Sequence, residues 1–271
     1  MEVRDSMVNI VRSSVRRDPT IYPVDEKVGE NTLQRYIAEV LRPLVERWLR
    51  HRRQRALAGA DQFIYYRQHM PTARVSPDVY VMPGFAQEQE IGAWKTWETG
   101  VVPSFALEIV SRDWEKDYVE SPARYAELGV GELVIFDPHP ERRPDGARWQ
   151  VYRPVRGRGL TRVEVSQGAA IASKALGCHL VHVGAGAGQR IRLGSGPHGR
   201  DLFPTAEEAE RAAREAAVAE AASALAAKDE ALAAKTAALI EKDAALLEKD
   251  AALARLAALE AKLARRTRRP R

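Results

Sequence analysis

Apolar residues recur at helical spacing through Leu33, Ile37, Leu41, Leu44, Val45 and Trp48, a pattern that predicts an amphipathic helix. Asn31 or Thr32 is placed to cap its start, and Pro43 is expected to kink it. The pattern then changes to period two and to short apolar runs. QFIYY (62–66) and DVYVM (78–82) read as strands, the second entered through Pro77. FALEIVS (105–111) is almost continuously apolar, as in a central strand buried on both faces. A short helix follows, with Ser121 as its expected N-cap, Pro122 at its first position and Gly129 at its end. ELVIFDP (132–138) is a second buried strand, RWQVYRP (148–154) and TRVEV (161–165) alternate as antiparallel strands, and HLVHV with QRIRL forms a further hairpin. The elements sum to an α/β core, a mixed sheet carrying a flanking helix and one crossover helix.

Two segments fall outside this pattern. Residues 1–22 are polar and irregular and read as a flexible arm ahead of a domain over 23–200. From Thr205 the composition turns abruptly to Ala, Leu, Lys and Glu. Leu225, Leu232, Leu239, Leu246 and Leu253 follow one another at intervals of seven, within near-repeats such as IEKDAAL and LEKDAAL. Heptad leucines predict a coiled coil over 205–266 and hence a homo-oligomer. The seam is imperfect, because Lys228 and Asp229 follow Leu225 at three and four residues and the pattern recurs. A lone solvated alanine-rich helix, stable through propensity, is the alternative to self-association. Residues 267–271 form a basic tail.

Composition narrows the class. Of the 271 residues, 45% are hydrophobic, enough to build a core, and the net charge of +5 permits a nucleic-acid partner without demanding one. Cys178 is the single cysteine, which excludes a disulfide framework or thiolate cluster and fits a reducing, cytoplasmic compartment. No apolar run reaches the ~20 residues of a membrane helix, so no membrane partner is expected.

Glu108 breaks the burial pattern, because it lies inside the apolar run FALEIVS. A buried carboxylate is costly unless paired. Asp78 opens another strand, and if the two strands are neighbours the carboxylates converge. Two hard oxygen ligands with open water positions suit Mg²⁺ or Mn²⁺, and such an ion can activate water at a phosphodiester. Taken singly, Asp78 also reads as a turn residue and Glu108 as the partner of an arginine.

The context of these residues adds to that reading. PDVYVMPGF, WKTWETGVVPSFALEIVSRDWEKD and ARYAELGVGELVIFDP, with the upstream EN..LQRYIAEVL, resemble the Uma-type family of restriction endonucleases in the PD-(D/E)XK nuclease superfamily. The resemblance runs from about Val24 to about Arg200 and implies a restriction-endonuclease-like fold. It implies Asp78 as the Asp of the PD motif, Glu108 as the second acidic residue, and Glu30 as an auxiliary acid. Tyr125 matches a tyrosine that packs the crossover helix beside the site. It further implies Mg²⁺ (or Mn²⁺) as cofactor and DNA as substrate.

The superfamily lysine is missing from both of its usual places. Two residues after Glu108 stands Val110, and four after Asp117, where this family's lysine is expected, stands Ser121. Lys116 is the nearest substitute and is the candidate for orienting water, although it also reads as a surface charge. His69, the HRRQR cluster (51–55), the His179/His182 pair and Trp94, Trp97 and Trp114 are weaker candidates for substrate contact. Surface or packing roles account for them more simply. The glycines of VGAGAGQ lack a phosphate-loop context. Two functions follow: a Mg²⁺-dependent DNA endonuclease using Asp78, Glu108, Glu30 and Lys116, or a catalytically weakened nuclease fold serving as a DNA-binding or scaffold module.

Overall fold

The computed structural model describes residues 20–22, 32–87, 91–111, 113–143 and 146–267. The chain divides into two compact units, Met1–Thr205 and Ala206–Arg271.

The first unit opens with helix α1 (Thr32–His51), which carries Pro43 within it. Strand β1 (Ala56–Gly59) follows, then the short strands β2 (Ile64–Tyr65) and β3 (Arg74–Val75), then β4 (Val79–Pro83) and β5 (Trp94–Lys95). After a single helical turn, α2 (Thr96–Thr99), come β6 (Phe105–Ile109), helix α3 (Ser121–Leu128) and β7 (Leu133–Phe136). Strands β8 (Trp149–Val155) and β9 (Gly159–Ser166) form a hairpin, and β10 (Ala170–Ser173), β11 (Cys178–Val183), β12 (Arg190–Ser195) and β13 (Asp201–Leu202) complete the unit. Six strands form the main sheet in the order β1-β4-β6-β7-β8-β9, with β10–β13 in a second sheet and β3-β2-β5 in a third. In the main sheet β6 and β7 run parallel, and every other neighbouring pair is antiparallel. A parallel pair requires a crossover, and the helical segment ending in α3 supplies it.

Alternation along β4 and β6 divides the core in two. Val79, Val81, Phe105, Leu107 and Ile109 pack with the apolar face of α1 and with Leu180, Ile191 and Leu193 of the second sheet. Tyr80, Met82, Ala106 and Val110 lie in the other layer with Tyr125 and Leu128 of α3 and Trp94. Because both faces of β6 are covered, its sequence reads as a continuous apolar run. Trp48 fastens α1 to the second sheet by donating its indole N–H to Leu176 O at 2.8 Å.

Two expectations change. Ser121 does not cap a helix. The helix begins at Trp114, passes through a π turn over Lys116–Glu120 and continues into α3. Ser121 is buried and helical, and its N–H donates to Lys116 O. Pro122 has no N–H and would clash with the carbonyl four residues back in a regular helix, and a π turn is one way to relieve that clash. Second, Thr20–Tyr22 are docked rather than loose: Tyr22 packs edge-on to Tyr65 at 4.9 Å, and its hydroxyl accepts the His69 N–H at 2.9 Å. β1, whose sequence ALAG carries no strand signal, also pairs along β4. The remainder of the expected arm, residues 1–19, lies outside the described residues, as do Glu30, Asn31 and the basic tail from residue 268.

The second unit is a single helix, α4 (Ala206–Thr267). Its heptad leucines 225, 232, 239, 246 and 253 are each between 51% and 62% exposed. Among the described residues, no helix is long and apolar enough to cross a membrane.

Candidate active site

β4 and β6 pair antiparallel with Val79 opposite Leu107 and Tyr80 opposite Ala106. One step further along this register, Asp78 stands opposite Glu108. Directly opposed residues project from the same face. That face is the α3 side, shared with Tyr80, Met82, Ala106 and Val110.

Two contacts fix the carboxylates. β4 starts at Val79, so the ladder ends before Ile109, and the Ile109 N–H donates to Asp78 Oδ2 at 2.5 Å. The Ile109 carbonyl is taken by Gln34 Nε2 at 2.5 Å, which ties the start of α1 to the same strand end. From the other layer, Tyr125 donates its hydroxyl to Glu108 Oε1 at 2.6 Å. Tyr125 sits there because Gly129, at φ 83°, stops α3 one turn later, its N–H returning to Tyr125 O. Only a residue tolerant of the left-handed region ends a helix this way cheaply.

Both acids are harder to ionise than a free carboxyl group. Burial pushes Asp78 well above the usual carboxylate range, and the Glu108 charge adds to this. Burial raises Glu108 to about 8, against the lowering effect of the Tyr125 hydrogen bond. Two further carboxylates contribute negative charge to both residues, Asp61 and Asp117. Asp117 is itself buried. Its Oδ2 accepts the Ser111 N–H at 2.7 Å and the Ser111 hydroxyl at 2.9 Å. Burial raises its carboxyl as well, against these two bonds.

Lys116, exposed on the π turn, brings positive charge to this group and lowers both Glu108 and Asp117. Val110 is buried and apolar, and Ser121 is buried one turn before Tyr125 on the same helical face. Neither usual lysine position therefore holds an amine. Arg143 lies close by and donates Nη2 to Ser111 O at 2.8 Å, with Nε 3.6 Å from the buried Asp137.

Two residues of this cluster carry little signal in the sequence. Asp117 enters there only to locate a lysine slot, although its spacing of four and eight from Ser121 and Tyr125 places all three on one helical face. Asp61 sits in a turn with no signal of its own, and the fold brings it near through its N–H bond to Pro77 O at 3.0 Å.

The weaker candidates have structural partners. Trp94 is buried and donates to Tyr80 Oη at 2.6 Å. Trp97 packs on Tyr22 and Trp114 on Tyr118. His182 bridges Arg148 and Gln189. His69 holds the Thr20–Tyr22 segment through its backbone. A shallow pocket of about 360 Å³ lies between the start of α1 and Gly186–Ala187, and none of the acidic residues lines it.

Among the described residues, no three His, Cys, Asp or Glu side chains are grouped to hold a metal by themselves. The donor set nonetheless fits a hard divalent ion. Mg²⁺ is commonly bound through one or two carboxylates, with water and substrate phosphate completing its shell. Two opposed carboxylates short of positive charge meet that requirement.

Residues 24–180 match a family model, Uma2, described as "Putative restriction endonuclease". No curated protein matches the chain. Among solved structures, a "putative nuclease belonging to DUF820" from Anabaena variabilis ATCC 29413 matches at 14% identity. It covers 57% of this chain and 79% of its own, with a TM-score of 0.36.

Proposed function

The chain belongs to the Uma2 family of restriction-endonuclease-like proteins, and from that premise we propose a Mg²⁺- or Mn²⁺-dependent endonuclease acting on DNA. One observation carries this reading: the register sets Asp78 opposite Glu108 on one face, where burial and the negative charge of Asp61 and Asp117 raise both carboxyl groups and favour a bound cation.

Asp78 and Glu108 are the proposed ligands. The bound ion would supply Lewis acidity toward water and toward a phosphoryl oxygen. The Ile109 N–H and the Tyr125 hydroxyl hold the two carboxylates in place, so little reorganisation is needed on binding. Asp117, held by Ser111, is a further proposed acidic group beside the pair. Lys116 is the proposed group that orients water and offsets charge developing on the phosphate. Glu30 is carried as an auxiliary acid on the family resemblance alone. The buried Val110 and Ser121 favour a second reading, a nuclease fold that binds DNA and cuts slowly. The exposed heptad leucines of α4 support self-association as the assembly mode.

The test is nicking of supercoiled plasmid in Mg²⁺, Mn²⁺ or EDTA. Nicking in either metal, lost in EDTA and in Glu108→Gln, is the expected result. Binding without nicking in both metals would move the account to the second reading. Neither binding nor nicking would end both.

A further inference from the structure

From the charge pattern along α4 we infer that a second copy of this chain packs on it antiparallel. The inference rests on the self-association proposed above.

The leucine stripe of α4 is not continuously apolar. Three residues after four successive leucines stand Lys228, Lys235, Lys242 and Lys249, and four residues after stand Asp229, Thr236, Asp243 and Asp250. The residues at +3 and +4 lie on the same helical face as the leucines they follow, so leucine alternates with a Lys/Asp pair along one seam. The described side chains of this seam are exposed, with Leu232 62% accessible.

A coiled-coil seam needs two positions per heptad, and leucine fills one. The other is then lysine or aspartate, depending on which side of the stripe closes. In a parallel, in-register pair each position faces its own copy. Four lysines would then face four lysines, or three aspartates would face three aspartates. Like charges held at a closing seam disfavour that arrangement.

Reversing one helix removes the conflict. In an antiparallel pair the leucine position of one helix faces the charged position of the other. Each lysine can lay its aliphatic stem on a partner leucine and carry its ammonium outward, to the aspartates one residue along. The repeat of Leu and Lys over four heptads, with Asp in three of them, keeps this complementarity for about 40 Å of helix at ~1.5 Å per residue.

Distance measurement between identical labels separates the orientations. Ala216→Cys and Ala258→Cys lie off the stripe near either end of α4 and are exposed. Each is made in the full chain and spin-labelled. The native chain, treated alike, controls for Cys178, which is buried with its thiol raised to about 12. Antiparallel pairing centred on the leucine stripe predicts inter-label distances of ~50 Å or more for both variants, from ~1.5 Å per residue. A mixture of the two variants should add a short distance. Short distances in each variant alone would overturn the antiparallel arrangement while leaving self-association standing. A monomer in light scattering, with no dipolar signal, would overturn both.

Discussion

Replacing Glu108 with glutamine should stabilise the metal-free protein at alkaline pH, although the residue is a proposed ligand. The glutamate's folded pKa is about 8 against an ordinary 4.5. The folded state therefore holds a proton that the unfolded chain releases between those values. Stability is greatest below the ordinary value, falls as pH rises toward 8, and levels off above it. At ~1.4 kcal/mol per pH unit the full gap corresponds to ~5 kcal/mol. Glu108 is only partly buried, so water access reduces the cost, and a gain of ~1–3 kcal/mol is the reasonable scale for a carboxylate exchanged for a hydrogen-bonded amide. The carbonyl of the introduced amide keeps the Tyr125 bond. The assay is urea unfolding in EDTA at pH 5.5 and pH 9 for both proteins. Glu108→Gln should be the more stable at pH 9, with the difference shrinking at pH 5.5. Some pH dependence will remain, because Asp78 and Asp117 are also raised. A variant less stable than wild type at pH 9 would refute the premise that this carboxylate is uncompensated.

Further outcomes follow from the same geometry. Tyr125→Phe removes the 2.6 Å bond that lowers Glu108, so the pH for half-maximal Mn²⁺ binding should rise by ~1 unit, read by titration across pH 6–9. Lys116→Ala should reduce nicking ~10²-fold if its ammonium offsets developing charge, with DNA affinity little changed in a gel-shift assay. Ser121→Lys places an amine on the helical face of Asp117 and Tyr125, and should raise nicking by a similar factor. No rise in a folded variant would show that this slot does not reach the reacting phosphate. Truncation after Thr205 should leave a folded domain that has lost self-association, measured by light scattering.

The sequence and the structure agree most closely where one kind of force dominates. Burial on both faces made β6 and β7 legible, since nothing but apolar residues fits a central strand, and the same rule exposed Glu108 as the exception. Heptad spacing likewise revealed the stripe on α4. What was hidden depends on contacts distant in sequence. ALAG has weak strand propensity, and β1 exists because β4 offers it an edge to pair with. Ser121 followed by Pro122 reads as a helix start, but upstream residues from Trp114 extend the helix through a π turn. Asp61 joins the acidic cluster only because its turn is tied to Pro77, 16 residues later.

The central claim is that Asp78 and Glu108 jointly hold one divalent cation, and calorimetric titration of Mn²⁺ into the full chain at pH 8 tests it most directly. The account predicts one site per chain, released protons that diminish as pH rises above about 8, and loss of measurable binding in both Asp78→Asn and Glu108→Gln. Unchanged Mn²⁺ affinity in either folded variant would contradict it.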